Sequence, residues 1–189
     1  TYILKKAPED EEIRHHILDG KKRTREFMDN IEKVIGKKID FLCHLDSQLE
    51  EVLRQVEKPG RYIGGEVNSI RKSPEDVKVR MAFVFPDLYE IGMSYLGMQI
   101  LYNTVNKKKE LYCERVFAPA SDMEKLMREE KLPLFTLETK TPVKEMDIVG
   151  FTLQYEMSFS TILNMLELAE IPLIADERGD EWPIIAAGG

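Results

Sequence analysis

Apolar runs with β-type composition alternate with helical patterns through the C-terminal two thirds of the chain. The apolar runs lie at 79–85, 114–118, 148–153 and 183–187, and helical periodicity covers about 94–106, 123–130 and the residues after Ser158. Runs that are apolar on both faces are typical of buried parallel strands, and strands that alternate with helices indicate βαβ units. We therefore predict an α/β fold with a Rossmann-like, doubly wound parallel sheet over residues 77–189. A further short edge strand is predicted at 134–137.

The first third of the chain has a different pattern. Residues 1–57 carry apolar positions at helical spacing, which predicts a small helical segment of two or three helices before the sheet. Residues 58–76 hold three glycines and two prolines among polar neighbours, so we predict a linker or an ordered loop there. The histidines of the first segment, His15, His16 and His44, are interpreted as surface or packing residues.

The carboxyl ends of the predicted strands are the first place to look for a ligand. In open α/β sheets, ligands bind in the crevice beyond those ends. The stretches that follow the four strands are 87–92, 119–121, 152–155 and 188–189. The first is predicted to be a loop, with a helix beginning near Ser94. The alternative reading makes Asp87 a turn or helix-capping residue, and Thr152 and Gln154 a satisfied polar pair at a strand end.

Charge and cysteine content narrow the function classes. The formal net charge is −7, which argues against a general electrostatic grip on nucleic acid. No apolar run approaches the roughly 18 residues needed to cross a bilayer, so no membrane partner is expected. Cys43 and Cys113 form neither a metal motif nor a disulfide framework, which favours a reducing, cytoplasmic location. No catalytic residue and no protein metal ligand is predicted.

The edge residues resemble the cobalamin-binding domain of the methionine synthase and methylmalonyl-coenzyme A mutase type. That family has Asp-x-His-x-x-Gly after its first strand, Ser-x-Leu after a middle strand and Gly-Gly after a later one. Here the corresponding stretches are Asp87-Leu88-Tyr89-Glu90-Ile91-Gly92, Thr152-Leu153-Gln154 and Gly188-Gly189. The resemblance implies that Asp87, Tyr89 and Gly92 meet the lower face or tail of cobalamin, and that Thr152, Gln154, Gly188 and Gly189 line the tail pocket.

Tyrosine replaces the histidine of that motif. A phenol with a pKa of about 10 is mostly protonated at neutral pH and is a poor ligand for cobalt, unlike a neutral imidazole. Two outcomes stay open for the cofactor. Cobalamin binds without a protein ligand from this loop, or the fold has lost the cofactor and kept its shape.

A longer set of segments resembles one group of radical S-adenosylmethionine (SAM) proteins, in which a cobalamin-binding-like domain precedes the radical barrel. These segments are KPGRYIGGE, FPDLYEIGMSYLGMQILY, ERVFAP, DIVGFTLQYE, NMLELAEIPL and AAGG. The resemblance covers about 58–189 and implies an accessory domain that positions corrin or substrate for the barrel. SAM and a [4Fe–4S] cluster are expected only in a C-terminal region beyond this chain, because the chain has no Cys-x-x-x-Cys-x-x-Cys motif. We accordingly expect a fragment of a longer polypeptide, with the α/β domain truncated at its C-terminus.

Two other functions remain open. One is a degenerate Rossmann-like module that binds a protein or RNA partner without a cofactor, which the tyrosine substitution favours. The other is a flavodoxin-like or receiver-like domain. It ranks lower, because Asp87 has no second acidic residue beside it and the loop is poor in Ser, Thr and Gly. The oligomeric state is not predicted.

Overall fold

Four parallel strands form the sheet of this protein. The computed structural model describes residues 47–189, which belong to one compact unit. The strands are β1 (Val79–Phe85), β2 (Leu111–Phe117), β3 (Ile148–Thr152) and β4 (Ile184–Gly188). They lie in the order β2-β1-β3-β4, and each neighbouring pair is parallel. The predicted Rossmann-like parallel sheet is therefore confirmed.

Helices connect the strands. Residues 47–53 are helical and are called α1 here. The further helices are α2 (Gly60–Ile63), α3 (Tyr89–Ser94), α4 (Leu96–Asn106), α5 (Ser121–Glu129) and α6 (Ser158–Leu168), with 3-10 turns at Pro74–Asp76, Val143–Glu145 and Ala175–Glu177. The chain steps from β1 to β2 in one direction and from β3 to β4 in the other. Right-handed crossovers then put α4 and α6 on opposite faces of the sheet.

Only the end of the predicted N-terminal helical segment falls within the described residues. Residues 47–57 include α1, with Leu49, Val52 and Val56 buried. The rest of that segment, including His15, His16 and His44, lies outside them.

The core on the α4 face consists mainly of aromatic and sulfur-containing side chains. Phe83 and Phe85 alternate along β1 and pack with Met98, Tyr102 and Cys113, and Phe117 packs against the edge of this cluster. Burying one such large side chain stabilises the fold by about 1.5–3 kcal/mol. The position of α4 over β1 and β2 is therefore set by this cluster.

Two local predictions are wrong. The predicted loop at 87–92 is instead mostly helix, because the amides of Ile91 and Gly92 donate to the Leu88 carbonyl over 3.0 and 3.1 Å and start α3. Tyr95, with extended backbone, then separates α3 from α4. The predicted edge strand at 134–137 does not form. Residues 132–142 make a turn with a single antiparallel bridge between Phe135 and Pro142.

This turn, which we call the edge strap (residues 132–142), covers the outer edge of β2. The Leu137 amide donates to the Arg115 carbonyl over 2.8 Å, and the Arg115 amide donates to Glu138 over 2.7 Å. On its other side, the Leu134 amide donates to the last residue of α6, Leu168. The strap thus satisfies backbone groups of β2 that would otherwise be unpaired.

Residues 58–76 are also fastened to the domain. The Ile70 amide donates to the Tyr102 hydroxyl over 2.7 Å, and the Tyr112 hydroxyl donates to the Ile70 carbonyl over 3.2 Å. Further upstream, the Tyr62 hydroxyl accepts from the Ala120 amide over 3.0 Å. These contacts hold the segment against α4, β2 and the N-terminal end of α5.

Candidate functional site

A cleft of about 390 Å³ opens at the carboxyl edge of the sheet. It lies beside the end of β1, where the connections of β1 and β3 leave in opposite directions, which is the position where open α/β sheets bind ligands. Its apolar floor includes Pro86, Leu88 and Pro119. Its polar side chains come from the loops after β1 and β3 and from α5 and α6: Asp87, Glu124, Tyr155, Ser160, Thr161 and Asn164.

Asp87 makes hydrogen bonds to residues that follow three of the strands at this cleft. Its Oδ1 accepts from the Leu88 amide over 2.7 Å, and its Oδ2 accepts from the Tyr155 hydroxyl over a longer 3.4 Å. Its backbone carbonyl accepts from the Ala118 amide, just beyond β2, over 3.0 Å. Asp87 is half-buried, and one oxygen of its carboxylate makes only a long hydrogen bond.

Tyr89 points away from Asp87, into contacts with residues beside β2. Its hydroxyl donates to Glu66 Oε1 over 2.8 Å, and its ring packs edge-on against Phe117 with centroids 5.3 Å apart. Burial and the hydrogen bond to Glu66 raise the pKa of Tyr89 to about 12. Tyr89 is thus a neutral hydrogen-bond donor in a structural contact.

Glu66 connects Tyr89 to a buried arginine. Arg115 is only 1% exposed, and it donates from Nη2 to Glu66 over 2.8 Å and from Nε to Glu138 over 2.6 Å. Its guanidinium also lies 4.8 Å from the ring centroid of Tyr102. Although burial acts in the opposite direction, hydrogen bonds from Tyr89 and Arg115 lower the pKa of Glu66. We call Tyr89, Glu66, Arg115 and Glu138 the Arg115 network.

Gly92 is a packing position. A Cβ at this residue would lie 2.6 Å from Phe117 Cδ1 and 3.1 Å from Phe85 Cδ1. Glycine therefore allows α3 to sit directly on the aromatic rings at the ends of β1 and β2.

The predicted residues after β3 have different environments. Thr152 is 6% exposed, and its Oγ1 has no hydrogen-bond partner among the described residues. Gln154 is exposed in the loop that follows. The alternative reading of these two residues as a satisfied polar pair is therefore wrong for Thr152.

Gly188 and Gly189 lie beside Thr152 and Leu153. The Leu153 amide donates to the Gly188 carbonyl over 2.9 Å, and Thr152 pairs with Gly188 in the sheet register. A Cβ on Gly188 would meet nothing within 4 Å, whereas a Cβ on Gly189 would overlap the Leu153 carbonyl. Gly189 thus permits close backbone approach, and Gly188 borders open space.

The seven predicted cofactor-binding residues therefore fall in three places. Asp87 lines the cleft, Tyr89 and Gly92 pack beside the end of β2, and Thr152, Gly188 and Gly189 meet at the ends of β3 and β4, with Gln154 exposed nearby. The ligand roles given to them stay predictions. Sequence reasoning missed most of the partners that organise these places, namely Glu66, Glu124, Arg115, Glu138 and Asn164. It included Tyr155 only as the end of the stretch 152–155. For Arg115, the available signal was the charged pair Glu114-Arg115 at the start of the apolar run at 114–118.

The stretch after β1, residues 87–92, does not fit the cobalt-ligand role of the cobalamin motif. The Tyr89 phenol donates to Glu66, and the Asp87 side chain accepts instead from Leu88 and Tyr155. Within residues 47–189 no group of three His, Cys, Asp or Glu side chains could hold a metal ion. No helix in this part of the chain is long and apolar enough to cross a membrane.

Comparison with known proteins gives one family match. Residues 97–189, slightly less than half of the chain, match the family model described as "Radical SAM proteins, N-terminal". The matched part runs from α4 to the end of β4, and it associates the chain with radical SAM proteins. No curated protein and no solved structure matches the chain.

Proposed function

We propose that this chain is a Rossmann-like accessory domain of a radical SAM protein, acting beside a radical barrel that the chain does not contain. The family match over 97–189 carries the proposal. The cysteine content supports it, because a radical SAM cluster needs three closely spaced cysteines, and the 189 residues contain two, at positions 43 and 113.

Within this role, we propose that the domain positions substrate and supplies no ligand to a corrin. The Arg115 network supports this choice, since Tyr89 donates its proton to Glu66 over 2.8 Å and packs on Phe117. A ligand role for Tyr89 would break that hydrogen bond and require loss of a proton whose pKa is raised to about 12. Cobalamin, if held at this edge, would bind through its tail alone.

A protein partner without any cofactor is the second candidate function. The observation that favours it is the exposure of β4, where Ile184 is 67% exposed and Ala186 and Ala187 are also exposed. On α6, which lies between β3 and β4 in the chain, Phe159 and Leu163 are exposed as well. An apolar edge strand without charged or proline residues is a surface suited to pairing with another chain.

The accessory role is tested by iron–sulfur reconstitution of the chain, followed by reduction in the presence of SAM. We expect no [4Fe–4S] electron paramagnetic resonance signal and no 5′-deoxyadenosine above the protein-free background. A cluster signal accompanied by 5′-deoxyadenosine would contradict the proposal, because the chain itself would then perform the radical step.

The corrin question has its own experiment. The chain is incubated with hydroxocobalamin and desalted, and the visible spectrum is recorded. We expect no retained corrin. Retention that disappears in Gly188→Trp, a substitution into open space, would instead identify a tail site at the ends of β3 and β4. Gly92→Trp is unsuitable as the probe, since it would displace Phe117.

A further inference from the structure

The cleft beside β1 has an uncompensated negative charge. Among its described lining residues are two carboxylates, Asp87 and Glu124, and no lysine, arginine or histidine. Glu124 is partly neutralised, because Arg128 Nε approaches it at 3.3 Å. No described cation contacts Asp87.

The charge of Arg128 is divided among several acceptors. Its Nη2 donates to Asn164 Oδ1 over 2.6 Å and to Glu167 Oε2 over 3.1 Å. Two carboxylates therefore share one guanidinium, and the cleft keeps a net negative potential. An anionic ligand such as a phosphate or a carboxylate would be repelled here.

Two hydrogen-bonding groups of the cleft, Asp87 and Ser160, favour a ligand that donates. Asp87 Oδ2 receives only the long contact from Tyr155, and Ser160 already donates its proton to the Met157 carbonyl over 2.9 Å. The free capacity of both groups is therefore as acceptors. The apolar floor formed by Pro86, Leu88 and Pro119 gives methylene groups a surface to pack against.

We propose that this cleft binds a small organic cation, a primary ammonium on a short methylene chain, with its charge at Asp87. The ammonium would donate to Asp87 Oδ2 and to neighbouring hydroxyl oxygens. The methylenes would pack on the apolar floor of the cleft. The proposal concerns the cleft alone and holds whether or not the domain serves a radical barrel.

The first test compares two ligands of equal chain length, putrescine and 1,4-butanediol, by isothermal titration calorimetry on the full chain. We expect putrescine to bind with a Kd on the order of 1 mM, typical of a small fragment, and at least about ten-fold more tightly than the diol. Its affinity should fall as salt is raised, because the attraction is electrostatic. Equal binding of the two ligands, or no binding of putrescine at about 20 mM, would overturn the proposal.

Matched variants locate the site. Asp87→Asn keeps an acceptor for the Leu88 amide but removes the charge, and it should weaken putrescine binding about ten-fold. Glu129→Gln removes an equal charge from α5, at a residue that pairs with Lys125 outside the cleft, and should leave the affinity unchanged. Equal effects of the two variants would reject a specific site.

A second variant covers the case in which Asp87→Asn fails to fold, judged by its thermal melt. Glu124→Gln retains an acceptor for Arg128 and should weaken putrescine binding about three-fold. An unchanged affinity in Glu124→Gln, together with an unfolded Asp87→Asn, counts against the proposal.

Discussion

The two edges of the sheet are built in opposite ways. At the β2 edge, the strap covers the strand, and the strand carries two clusters of charged side chains that are largely buried. Arg115 binds Glu66 and Glu138, while the adjacent Glu114 accepts from Arg80 over 2.5 Å. At the β4 edge, the strand has no outer partner among the described residues, and its side chains are mostly exposed.

This difference gives the two edges different roles: the β2 edge stabilises the fold, and the β4 edge is available for association. Buried charges are costly to leave unpaired, so the β2 edge stays intact only as a complete set of contacts. The β4 edge contributes little buried surface and presents free backbone donors and acceptors. Substitutions at the β2 edge should therefore change the free energy of unfolding, and substitutions at the β4 edge should change association.

The largest effect is expected at Arg115. Arg115→Met leaves the buried Glu138 and the half-buried Glu66 without their cation, and it should lower the free energy of unfolding by about 3–5 kcal/mol in urea denaturation. Arg128→Met removes an exposed cation and is the control, with little change in the denaturation midpoint expected. If the two variants were equally stable, the β2 edge would not depend on its buried charge.

The next largest effect is expected from a comparison of alanine substitutions at Gly92 and Gly188. Gly92→Ala forces a methyl group against Phe117 at the β2 side and should cost about 1–3 kcal/mol of unfolding free energy. Gly188→Ala adds the same methyl group in open space at the β4 side and should change stability by less than about 0.5 kcal/mol. Thermal melts of the two variants check the order, and a reversed order would refute the contrast.

Tyr89→Phe should have a smaller effect that depends on pH. It removes the hydrogen bond to Glu66 and should cost about 1 kcal/mol at neutral pH. The pKa of Tyr89 is raised to about 12 in the folded state, above the unfolded value of about 10. The extra stability is therefore fully present below about pH 10 and is lost as pH rises through 12.

Unfolding of the wild type and Tyr89→Phe at pH 8 and pH 11 measures this dependence. The stability difference between the two proteins should narrow at the higher pH. A difference that widened would mean that the phenolate, not the phenol, is the stabilised form.

The smallest change in stability is expected at β4. Ile184→Lys places a charge on an exposed edge and should alter the free energy of unfolding by less than about 0.5 kcal/mol. It should nevertheless reduce any concentration-dependent self-association seen by light scattering. Val67→Lys, at an exposed residue outside the sheet, is the control. Equal effects of the two lysines on association would show that net charge, not the β4 edge, is responsible.

Strand positions were predictable because their signals are local. β1 has the predicted bounds, 79–85, since its apolar run ends at Pro86. β2 was predicted to begin at residue 114 but begins at Leu111, because the charged pair Glu114 and Arg115 looks like a strand end. The partners that allow these charges to be buried lie far away in the sequence, so no local pattern predicts them.

The candidate site was predictable only in its location. The parallel topology correctly puts the cleft at the carboxyl edge, and Asp87 lines it. The direction of Tyr89 was not predictable, because it depends on α3 starting at residue 89 and on Glu66, 23 residues earlier. A motif can therefore keep its spacing while its side chains face different partners.

The sequence positions of the Arg115 network residues also indicate the order in which parts of this domain fold. Glu66 lies 49 residues before Arg115 and Glu138 lies 23 residues after it, so both partners reach β2 only by closing long loops. Met98 and Tyr102 of α4 meet Phe83 and Phe85 of β1 through a shorter loop, and shorter loops form sooner. We therefore expect β1 and α4 to belong to the folding nucleus. The β2 edge should form last, once the segments that carry Glu66 and Glu138 have packed against β2.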